Sequence, residues 1–320
     1  MSNAVLLFKF EDQYRPPLEA ALGGRKAVYV KNETDLSEAD VRDTEAIFGL
    51  PNADTLSRYP KLKWIQLISS GTDYLNGKVP AGVTVTCATG AYDQSVSEWI
   101  LAVTVALTRK LHLYRDEQNK GEWKPRGKIG SIKGAVILVI GLGSIGKAYA
   151  ANMKALGAYL IGMRRTPGAK PDCVDEIYTS DQLDRILPRA DVVVSVLPNT
   201  SATERLFDRE RFARMKPGAF FVNAGRGPAV DIDALCDALE SGILGGAAVD
   251  VTDPEPLPAG HRLWRTENAL ITPHVAGGFW LRETYENIVN LCVTNAGRYA
   301  KGEPLENLVD FTIGYRKKTA

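Results

Sequence analysis

Short runs of β-branched and apolar residues alternate with amphipathic or turn-rich segments from the start of the chain. The N-terminal part contains a series of such runs, which predict strands over Val5–Phe10, Ala27–Val30, Ala46–Leu50, Trp64–Ile68 and Val83–Cys87. Strands that alternate with helical segments pair in parallel, because each return to the same edge of the sheet needs a crossover connection. The pattern therefore predicts a parallel α/β sheet.

A long helical pattern, from about Ser95 to Leu113, separates this series from a second one. The second series predicts strands over Val136–Ile140, Tyr159–Met163, Val192–Val196, Phe220–Asn223, Ala247–Val251 and Leu270–Thr272. Its helices carry end signals: Gly157 ends the first, and Asp231 caps a later one that Gly242 terminates. We expect a second, doubly wound parallel sheet, followed by a last helix from Arg282 to about Tyr299.

Length and composition restrict the class of protein. A chain of 320 residues favours two domains, and a hydrophobic share of 45% with a charged share of 24% is typical of a globular protein. Lys and Arg number 39 against 38 Asp and Glu, so no net charge recruits nucleic acid or an anionic membrane. No apolar run approaches the length that spans a membrane. We expect neither nucleic acid nor a membrane as a partner.

The cysteines indicate a reducing compartment. They are far apart in the sequence, form no CxxC pair and lie in apolar stretches: Cys87, Cys173, Cys236 and Cys292. Such residues are typical of buried, reduced thiols rather than of disulfides or metal ligands, and we predict no metal site. The first residues lack the basic and long apolar regions of a signal peptide. Together these observations predict a cytoplasmic protein.

A glycine-rich loop joins the first strand of the second series to a helix. The sequence Gly141-Leu142-Gly143-Ser144-Ile145-Gly146 follows the strand directly and opens a helix that runs to about Leu156. Glycines there allow a tight turn and close approach of the backbone to a pyrophosphate, while the helix N-terminus offers unpaired N–H groups. The motif in this βαβ setting predicts a dinucleotide site. The alternative is a glycine-rich turn that binds no ligand.

Two arginines follow the next strand. A site for NAD normally has Asp or Glu there to accept hydrogen bonds from the adenine ribose, but this sequence has Arg164-Arg165-Thr166. Guanidinium groups form charge-assisted hydrogen bonds with phosphate, so the segment favours the 2′-phosphate of NADP(H), with NAD(H) as the second candidate cofactor. A solvated surface turn is the alternative interpretation.

The chain has three histidines, which are the candidates for acid/base chemistry. His112 lies on the long helix beside other cations, and for His261, in a loop, a turn or cap is the simpler interpretation. His274 follows the strand Leu270–Thr272, at the carboxyl edge of a parallel sheet, where ligands bind. We therefore take His274 as the candidate acid/base residue.

From about Glu98 to Tyr299 the chain resembles the D-isomer-specific 2-hydroxyacid dehydrogenase family, above all its glyoxylate/hydroxypyruvate reductase-like members. Besides the nucleotide loop, the resemblance rests on residues 223–231 (NAGRGPAVD), residues 250–256 (DVTDPEP) and Thr272-Pro273-His274. It implies two doubly wound parallel-sheet domains, with a Rossmann cofactor domain (98–281) inserted into a flavodoxin-like substrate domain (1–97 and 282–320). It also implies a homodimer, and NAD(P)H-dependent reduction of a small 2-oxo acid to the D-2-hydroxy acid and the reverse reaction.

The resemblance implies that Arg226 binds the substrate, that His274 is the acid/base and that Glu255 is the carboxylate partner of the histidine. The chemistry of each residue type agrees. A guanidinium can hold the carboxylate of a 2-oxo acid while it polarises the adjacent carbonyl. That carbonyl oxygen gains charge as hydride reaches C2, so a protonated imidazole must deliver a proton there, and Glu255 would orient the ring. The alternatives are that Arg226 forms a surface ion pair, that Glu255 is an ordinary loop carboxylate and that His274 caps a helix.

Further site residues follow from the same resemblance. The loop after the fourth strand would present backbone N–H groups to the substrate carboxylate through Ser70, Gly71 and Thr72, with an ordinary strand-end turn as the alternative. Positions that line the nicotinamide side of the cofactor correspond to Leu197, Pro198 and Asp250. Cofactor contacts are also implied for Ala224, Arg226, His274 and Gly277. The pocket for the substrate side chain is expected from Ser69–Tyr74 and Phe279-Trp280.

Two other members of the family are alternatives. A formate-dehydrogenase-like branch pairs its histidine with Gln, so Glu255 argues against it. A non-enzymatic corepressor or nucleotide-sensing branch keeps the same residues, but no partner-binding tail or basic patch is visible in this sequence. No C-terminal regulatory domain is expected after Ala320, which weakens a feedback-regulated, serine-pathway interpretation.

Overall fold

In the computed structural model the chain divides into two compact units. The first consists of Met1–Tyr92 with Phe279–Ala320, and the second of Asp93–Gly278. The structure describes residues 2–279, 281–312 and 315–316. The sequence analysis set the N-terminal boundary at residue 97, within a helix that the structure assigns entirely to the second unit.

The helices and strands follow the alternation that the sequence predicts. The N-terminal segment contains β1 (Asn3–Leu7), α1 (Arg15–Ala21), β2 (Lys26–Tyr29), α2 (Glu38–Asp43), β3 (Thr44–Gly49), β4 (Trp64–Leu67) and β5 (Thr84–Thr86). The second unit contains α3 (Asp93–Thr108), α4 (Leu111–Lys120), β6 (Val136–Ile140), α5 (Ser144–Ala155), β7 (Tyr159–Arg164), β8 (Glu176–Thr179), α6 (Leu183–Ile186), β9 (Val192–Ser195), α7 (Arg209–Arg214), β10 (Ala219–Asn223), α8 (Ile232–Glu240), β11 (Leu244–Val249) and β12 (Ala269–Ile271). The chain ends in the first unit with α9 (Arg282–Lys301), β13 (Val309–Asp310) and β14 (Tyr315–Arg316).

The first unit is built on a parallel sheet. Within the described residues its strand order is β2-β1-β3-β4-β5, the order of flavodoxin-like folds. β-branched residues such as Val5, Ile47 and Ile65 are wholly buried in the core on one face of this sheet. Helix α9 returns to this unit and packs against α1.

The second unit is also built on a parallel sheet, with the order β12-β11-β10-β9-β6-β7-β8 in the described part of the chain. The direction in which strands are added reverses between β6 and β9, and ligands of doubly wound folds bind at this switch point. The prediction of two doubly wound parallel-sheet domains is confirmed. The edge strand β8 was not predicted, because its four residues, EIYT, are all half-buried and do not alternate between apolar and polar side chains.

The prediction of one helix from Ser95 to Leu113 is wrong, because the helix breaks into α3 and α4. Lys110, between them, has a left-handed backbone with φ 58°. The backbone carbonyl of Thr108 accepts a hydrogen bond from the N–H of Gly130 at 2.8 Å, so it is satisfied from outside the helix. The apolar spacing continues across this break, which is why the pattern alone did not reveal it.

The predicted helix ends are confirmed. The carboxylate of Asp231 accepts a hydrogen bond from the backbone N–H of Ala234 at 3.0 Å, as an N-cap residue does. Gly157 follows α5 with φ 86°, and Gly242 follows α8 with φ 75°, conformations that glycine adopts without strain.

The four cysteines form no disulfide with one another in the structure, and Cys87, Cys236 and Cys292 are buried. None of the helices in the described part of the chain combines the length and the apolar character that crossing a membrane requires.

Candidate active site

Two glycines of the nucleotide loop are required by backbone packing. Gly141, after β6, has φ 102°, and a Cβ atom there would lie 2.6 Å from the carbonyl oxygen of Val196. A Cβ at Gly146 would lie 2.2 Å from the carbonyl oxygen of Gly141. Any side chain at either position would therefore push apart the strand-to-helix turn or the start of α5.

Gly143 differs from these two glycines. It precedes α5 with an ordinary φ of −73°, and a Cβ there would meet nothing within 4 Å. The fold alone therefore does not require glycine at position 143. Because Gly143 has no side chain, the space in front of the helix N-terminus stays open. The N–H groups of the first turn, which begins with Ser144 and Ile145, have no acceptor within the helix. This open, positively polarised end fits a pyrophosphate group.

The predicted ribose end of the site lies beside this loop. β7 pairs with β6, and the N–H of Gly141 donates to the carbonyl of Met163 at 3.0 Å. Arg164 is the last residue of β7, and Arg165 and Thr166 follow it in an exposed turn. The guanidinium of Arg164 donates from Nη2 to the carbonyl of Ala169 at 3.2 Å.

The pair of His274 and Glu255 is formed in the structure. Nδ1 of His274 lies 3.1 Å from Oε1 of Glu255, and the two side chains are 49% and 43% exposed. Nε2 of His274 has no hydrogen-bond partner among the described residues, so this ring nitrogen is not engaged by the fold. A carboxylate on one ring nitrogen fixes the ring while leaving the other nitrogen able to exchange a proton with a substrate.

The loop that carries His274 is held by Asp250, whose side chain is buried. Oδ1 of Asp250 accepts hydrogen bonds from the hydroxyl of Thr272 at 2.6 Å and from the N–H of Val275 at 2.9 Å. Oδ2 accepts from the N–H of Ala276 at 3.0 Å. One carboxylate therefore holds a side chain just before the histidine and the backbone just after it.

The backbone of His274 is left-handed, with φ 52°. Residues other than glycine adopt this conformation only when their surroundings impose it. Here the N–H of His274 donates to the carbonyl of Asp250 at 2.8 Å, which adds to the bonds that the Asp250 carboxylate accepts. The sequence analysis expected Asp250 near the nicotinamide and missed this role in holding the histidine loop.

Arg226 begins a tight turn after β10. Its guanidinium is half-buried, and Nη1 donates to the carbonyl of Gly225 at 2.8 Å. Asn223 is wholly buried and shapes the turn: its side-chain oxygen accepts from the N–H of Gly225 at 3.2 Å, and its amide donates to the carbonyl of Arg226 at 3.1 Å. Asn223 belongs to the motif 223–231 but was not predicted to have a role of its own; its signal in the sequence is an amide side chain at the end of a strand, where a turn must start.

The Arg226 turn lies directly against the loop that leads to Glu255. A Cβ atom at Gly227 would lie 1.9 Å from the carbonyl oxygen of Thr252. On the other side, a Cβ at Gly225 would lie 2.5 Å from the backbone nitrogen of Leu197. Because β10, β11 and β12 are neighbours in the sheet, Arg226, Glu255 and His274 all follow strands that end at the same edge.

The remaining residues predicted to contact the cofactor follow strands of this sheet. Leu197 and Pro198 are half-buried after β9, and the N–H of Ala224 donates to the carbonyl of Ser195 at 3.0 Å. Gly277 is half-buried beyond the His274 loop. These residues thus lie at the carboxyl edge, where doubly wound folds bind ligands.

The predicted substrate loop lies in the first unit, after β4. The hydroxyl of Ser69 donates to the carbonyl of Gly71 at 2.7 Å, and that of Ser70 donates to the carbonyl of Ala88 at 3.2 Å. Thr72 is buried, whereas Ser70 and Gly71 are partly exposed. The backbone N–H groups of Ser70 and Gly71 donate no hydrogen bond to any described residue. Of the expected side-chain pocket, Phe279 is exposed and Trp280 lies outside the described residues.

The other histidines have different surroundings. Nδ1 of His261 accepts a hydrogen bond from the N–H of Leu263 at 3.2 Å, as a helix cap does. His112 is half-buried, burial lowers its pKa, and neither ring nitrogen has a partner among the described residues. No group of His, Cys, Asp and Glu within the described ranges is arranged to hold a metal ion.

Comparison with known proteins identifies the family. Residues 101–276 match the D-isomer specific 2-hydroxyacid dehydrogenase, NAD binding domain. The glyoxylate reductase of Thermofilum pendens is 30% identical to this chain, covering 85% of this chain and 83% of that protein. The crystal structure of D-isomer specific 2-hydroxyacid dehydrogenase from Xanthobacter autotrophicus Py2, in complex with NADPH and MES, is 29% identical with a TM-score of 0.84, covering 98% of this chain and 100% of that one. The NADPH-dependent glyoxylate/hydroxypyruvate reductase from Sinorhizobium meliloti, in complex with NADP and sulfate, is 27% identical with a TM-score of 0.84, again covering 98% and 100%.

The chain belongs to the D-isomer-specific 2-hydroxyacid dehydrogenase family, as its sequence motifs predicted. It is an NAD(P)-dependent oxidoreductase that acts on small 2-hydroxy or 2-oxo acids.

Proposed function

We propose that this enzyme reduces a small 2-oxo acid of the glyoxylate or hydroxypyruvate type to the D-2-hydroxy acid with NADPH, and catalyses the reverse reaction. The main observation in support is the 3.1 Å contact between Nδ1 of His274 and Glu255, which leaves Nε2 without a partner among the described residues. Arg226 and the nucleotide loop follow strands at the same edge of the sheet. The relatives named glyoxylate reductase and glyoxylate/hydroxypyruvate reductase support the substrate class.

The residues divide the chemistry between them. The nicotinamide cofactor, when bound, supplies the hydride to C2 of the 2-oxo acid. Arg226 holds the substrate carboxylate and polarises the carbonyl, for which a planar guanidinium with several donors is suited. His274 delivers a proton from Nε2 to the carbonyl oxygen as its charge increases, and Glu255 keeps the ring oriented. We also propose Ser70, Gly71 and Thr72 as substrate-binding residues, because two of their N–H groups have no acceptor among the described residues.

A panel of 2-oxo acids tests this reaction. We expect turnover of glyoxylate or hydroxypyruvate to exceed that of pyruvate and phenylpyruvate. His274→Ala should lower kcat by about 10²–10⁴-fold, the usual contribution of a general acid, with little change in cofactor affinity. His261→Ala is the matched control, since that ring caps a turn and faces Asp233, outside the proposed site. Undiminished turnover in the His274 variant would refute the assignment, and no turnover by the parent with any acid of the panel would refute the reaction.

The preferred cofactor is proposed to be NADP(H). Arg164, with Arg165, stands where a ribose-binding carboxylate would otherwise accept the hydroxyls and repel a phosphate. One retained charge-assisted hydrogen bond gives a preference of roughly tenfold or more. The measurement is the ratio of kcat/KM with NADPH and NADH for the parent and for Arg164→Asp. A parent that favours NADH, or a ratio that the substitution leaves unchanged, would refute this preference.

We further propose that the protein is a cytoplasmic homodimer, assembled through the second unit. Three large apolar side chains of that unit, Leu111, Trp123 and Ile129, are 54%, 103% and 48% exposed, and apolar surface of this kind favours association. Cysteines that form no disulfide with one another agree with a reducing compartment. Sedimentation of the parent and of Trp123→Glu tests the assembly: we expect a dimer that the charge weakens, and a monomeric parent would contradict it.

A further inference from the structure

The turn after β7 is built around the side chain of Arg164. A Cβ atom at Gly168 would lie 2.7 Å from Nη2, 3.0 Å from Cζ and 3.1 Å from Nη1 of this arginine. Three atoms of one guanidinium at almost the same distance mean that its flat face, and not its edge, lies over Gly168. The N–H donors of a guanidinium lie in its plane, so the position of this face determines where the donors point.

Glycine is not needed at position 168 for the backbone itself. Gly168 is absent from the positions with a left-handed φ, so other residues could adopt its conformation. The three atoms that an added Cβ would meet first all belong to the far end of Arg164, a flexible side chain. The close contact that glycine permits at this position is therefore the contact with the guanidinium of Arg164.

The guanidinium is restrained on a second side. Nη2 donates to the carbonyl of Ala169 at 3.2 Å, while Nε is covered from solvent and has no acceptor among the described residues. A guanidinium has five N–H donors, and this bond uses one of them. The turn thus orients Arg164 without saturating it, which leaves donors for an added oxyanion.

We propose that Gly168 is a positioning residue for cofactor specificity: it forms a groove that presets the guanidinium of Arg164 to receive the 2′-phosphate of NADP(H). The inference rests on the proposed preference for NADP(H) and adds the element of the structure that produces it. A long side chain that is already ordered loses less conformational freedom when it binds, so presetting the arginine strengthens phosphate recognition. A cofactor without the 2′-phosphate has no phosphate for this guanidinium to bind, so its affinity does not depend on the placement of Arg164.

The test is Gly168→Ala, which should move the guanidinium and leave the fold intact. The readout is calorimetric affinity for 2′,5′-ADP and for 5′-AMP, together with the NADPH/NADH ratio of kcat/KM. We expect the affinity for 2′,5′-ADP relative to 5′-AMP, and the cofactor ratio, each to fall by about three- to tenfold. Gly260→Ala is the control, because a Cβ there meets nothing within 4 Å and the loop lies outside the proposed site.

A double variant separates this inference from the proposed cofactor preference. In an Arg164→Ala background, Gly168→Ala should have no further effect on the affinity ratio, since the side chain that it displaces is gone. If Arg164→Ala abolishes the preference for 2′,5′-ADP but Gly168→Ala leaves it unchanged, the groove is refuted and the role of Arg164 stands. An equal effect of Gly168→Ala with and without Arg164 would also refute the groove. A parent that binds 5′-AMP as well as 2′,5′-ADP would refute both.

Discussion

The loops at the carboxyl edges of the two parallel sheets are held in opposite ways. In the second unit, the buried carboxylate of Asp250 accepts three hydrogen bonds from the loop around His274, two of them from backbone N–H groups. In the first unit, the hydroxyls of Ser69 and Ser70 donate to backbone carbonyls, and the N–H groups of Ser70 and Gly71 have no acceptor among the described residues. The His274 loop is held through its backbone N–H groups, whereas the substrate loop is held through its side-chain hydroxyls, which leaves two of its backbone N–H groups without an acceptor among the described residues.

The difference corresponds to what each loop is proposed to do. Proton transfer needs one ring nitrogen at one place, and the structure holds His274 in a left-handed conformation that other residues than glycine rarely adopt. Recognition of a carboxylate needs N–H groups without partners, and a loop held through its side-chain hydroxyls keeps its backbone N–H groups available. Each substitution below removes hydrogen bonds that hold one of these two loops, or that hold the sheet of the first unit.

The largest effect is expected from Asp250→Asn. An amide nitrogen cannot accept the hydrogen bond from the N–H of Ala276, and the negative charge that the other two donors face is lost. A hydrogen bond to a charged group contributes about 1.5–3 kcal/mol, so kcat should fall by roughly 10–100-fold as His274 loses its fixed place. Steady-state kinetics measure this, with circular dichroism to verify the fold.

Thr272→Val is the graded control for this variant, because it removes only one of the three hydrogen bonds. We expect kcat of Thr272→Val to lie between the kcat of the parent and that of Asp250→Asn. If kcat of Asp250→Asn stayed within twofold of the parent, the restraint on His274 would have to come from the backbone alone.

A smaller effect, on stability, is expected from a substitution of Glu45, which lies in strand β3 of the first unit. Burial raises the pKa of this carboxyl, but hydrogen bonds from Arg25, Ser2 and Tyr299 outweigh it and lower the pKa to about 2, from an ordinary 4.5. A pKa lowered by folding stabilises the folded state above the unfolded value, and that stabilisation is lost as the pH falls from 4.5 towards 2. Glu45→Gln should therefore lower the free energy of unfolding by about 1–2 kcal/mol at neutral pH.

Thermal melting over a pH series measures this effect. The difference in Tm between the parent and Glu45→Gln should shrink as the pH falls below 4.5. Glu38→Gln in the same unit is the control, because that side chain is 94% exposed and should contribute little. A difference in Tm that stays constant with pH would mean that Glu45 acts through packing and not through its charge.

The smallest effect is expected from Ser70→Ala. It removes the hydrogen bond from the hydroxyl to the carbonyl of Ala88, one of the bonds that hold the substrate loop. A neutral hydrogen bond contributes about 0.5–1.5 kcal/mol, so KM for the 2-oxo acid should rise by roughly two- to tenfold with kcat nearly unchanged. A fall in kcat without a change in KM would argue that this loop does not bind the substrate in the ground state.

Sequence patterns identified most of the strands and the residues of the histidine pair, because motifs and alternation are local properties. The strand β8 was missed since four half-buried residues at a sheet edge carry no alternation. The break at Lys110 was missed since the apolar spacing continues across it, and the hydrogen bond from Gly130 that satisfies the carbonyl of Thr108 comes from a distant part of the sequence.

The hydrogen bonds and contacts that hold the site residues in place could not be predicted from the sequence either. Nothing in the spacing of Asp250 and residues 272–276 indicates that one carboxylate collects three donors from that loop. The same holds for Gly168, which is unremarkable in the sequence until the guanidinium of Arg164 is seen to lie on it. Long-range packing decides such details, and a single sequence records only the residue types.

The contact between Gly227 and Thr252 has a consequence for engineering. A Cβ at position 227 would lie only 1.9 Å from the Thr252 carbonyl, so the Arg226 turn and the Glu255 loop touch backbone to backbone. A library that varies residues 223–229 to redesign the substrate range therefore has to keep glycine at position 227, because any side chain there would displace the loop that carries Glu255.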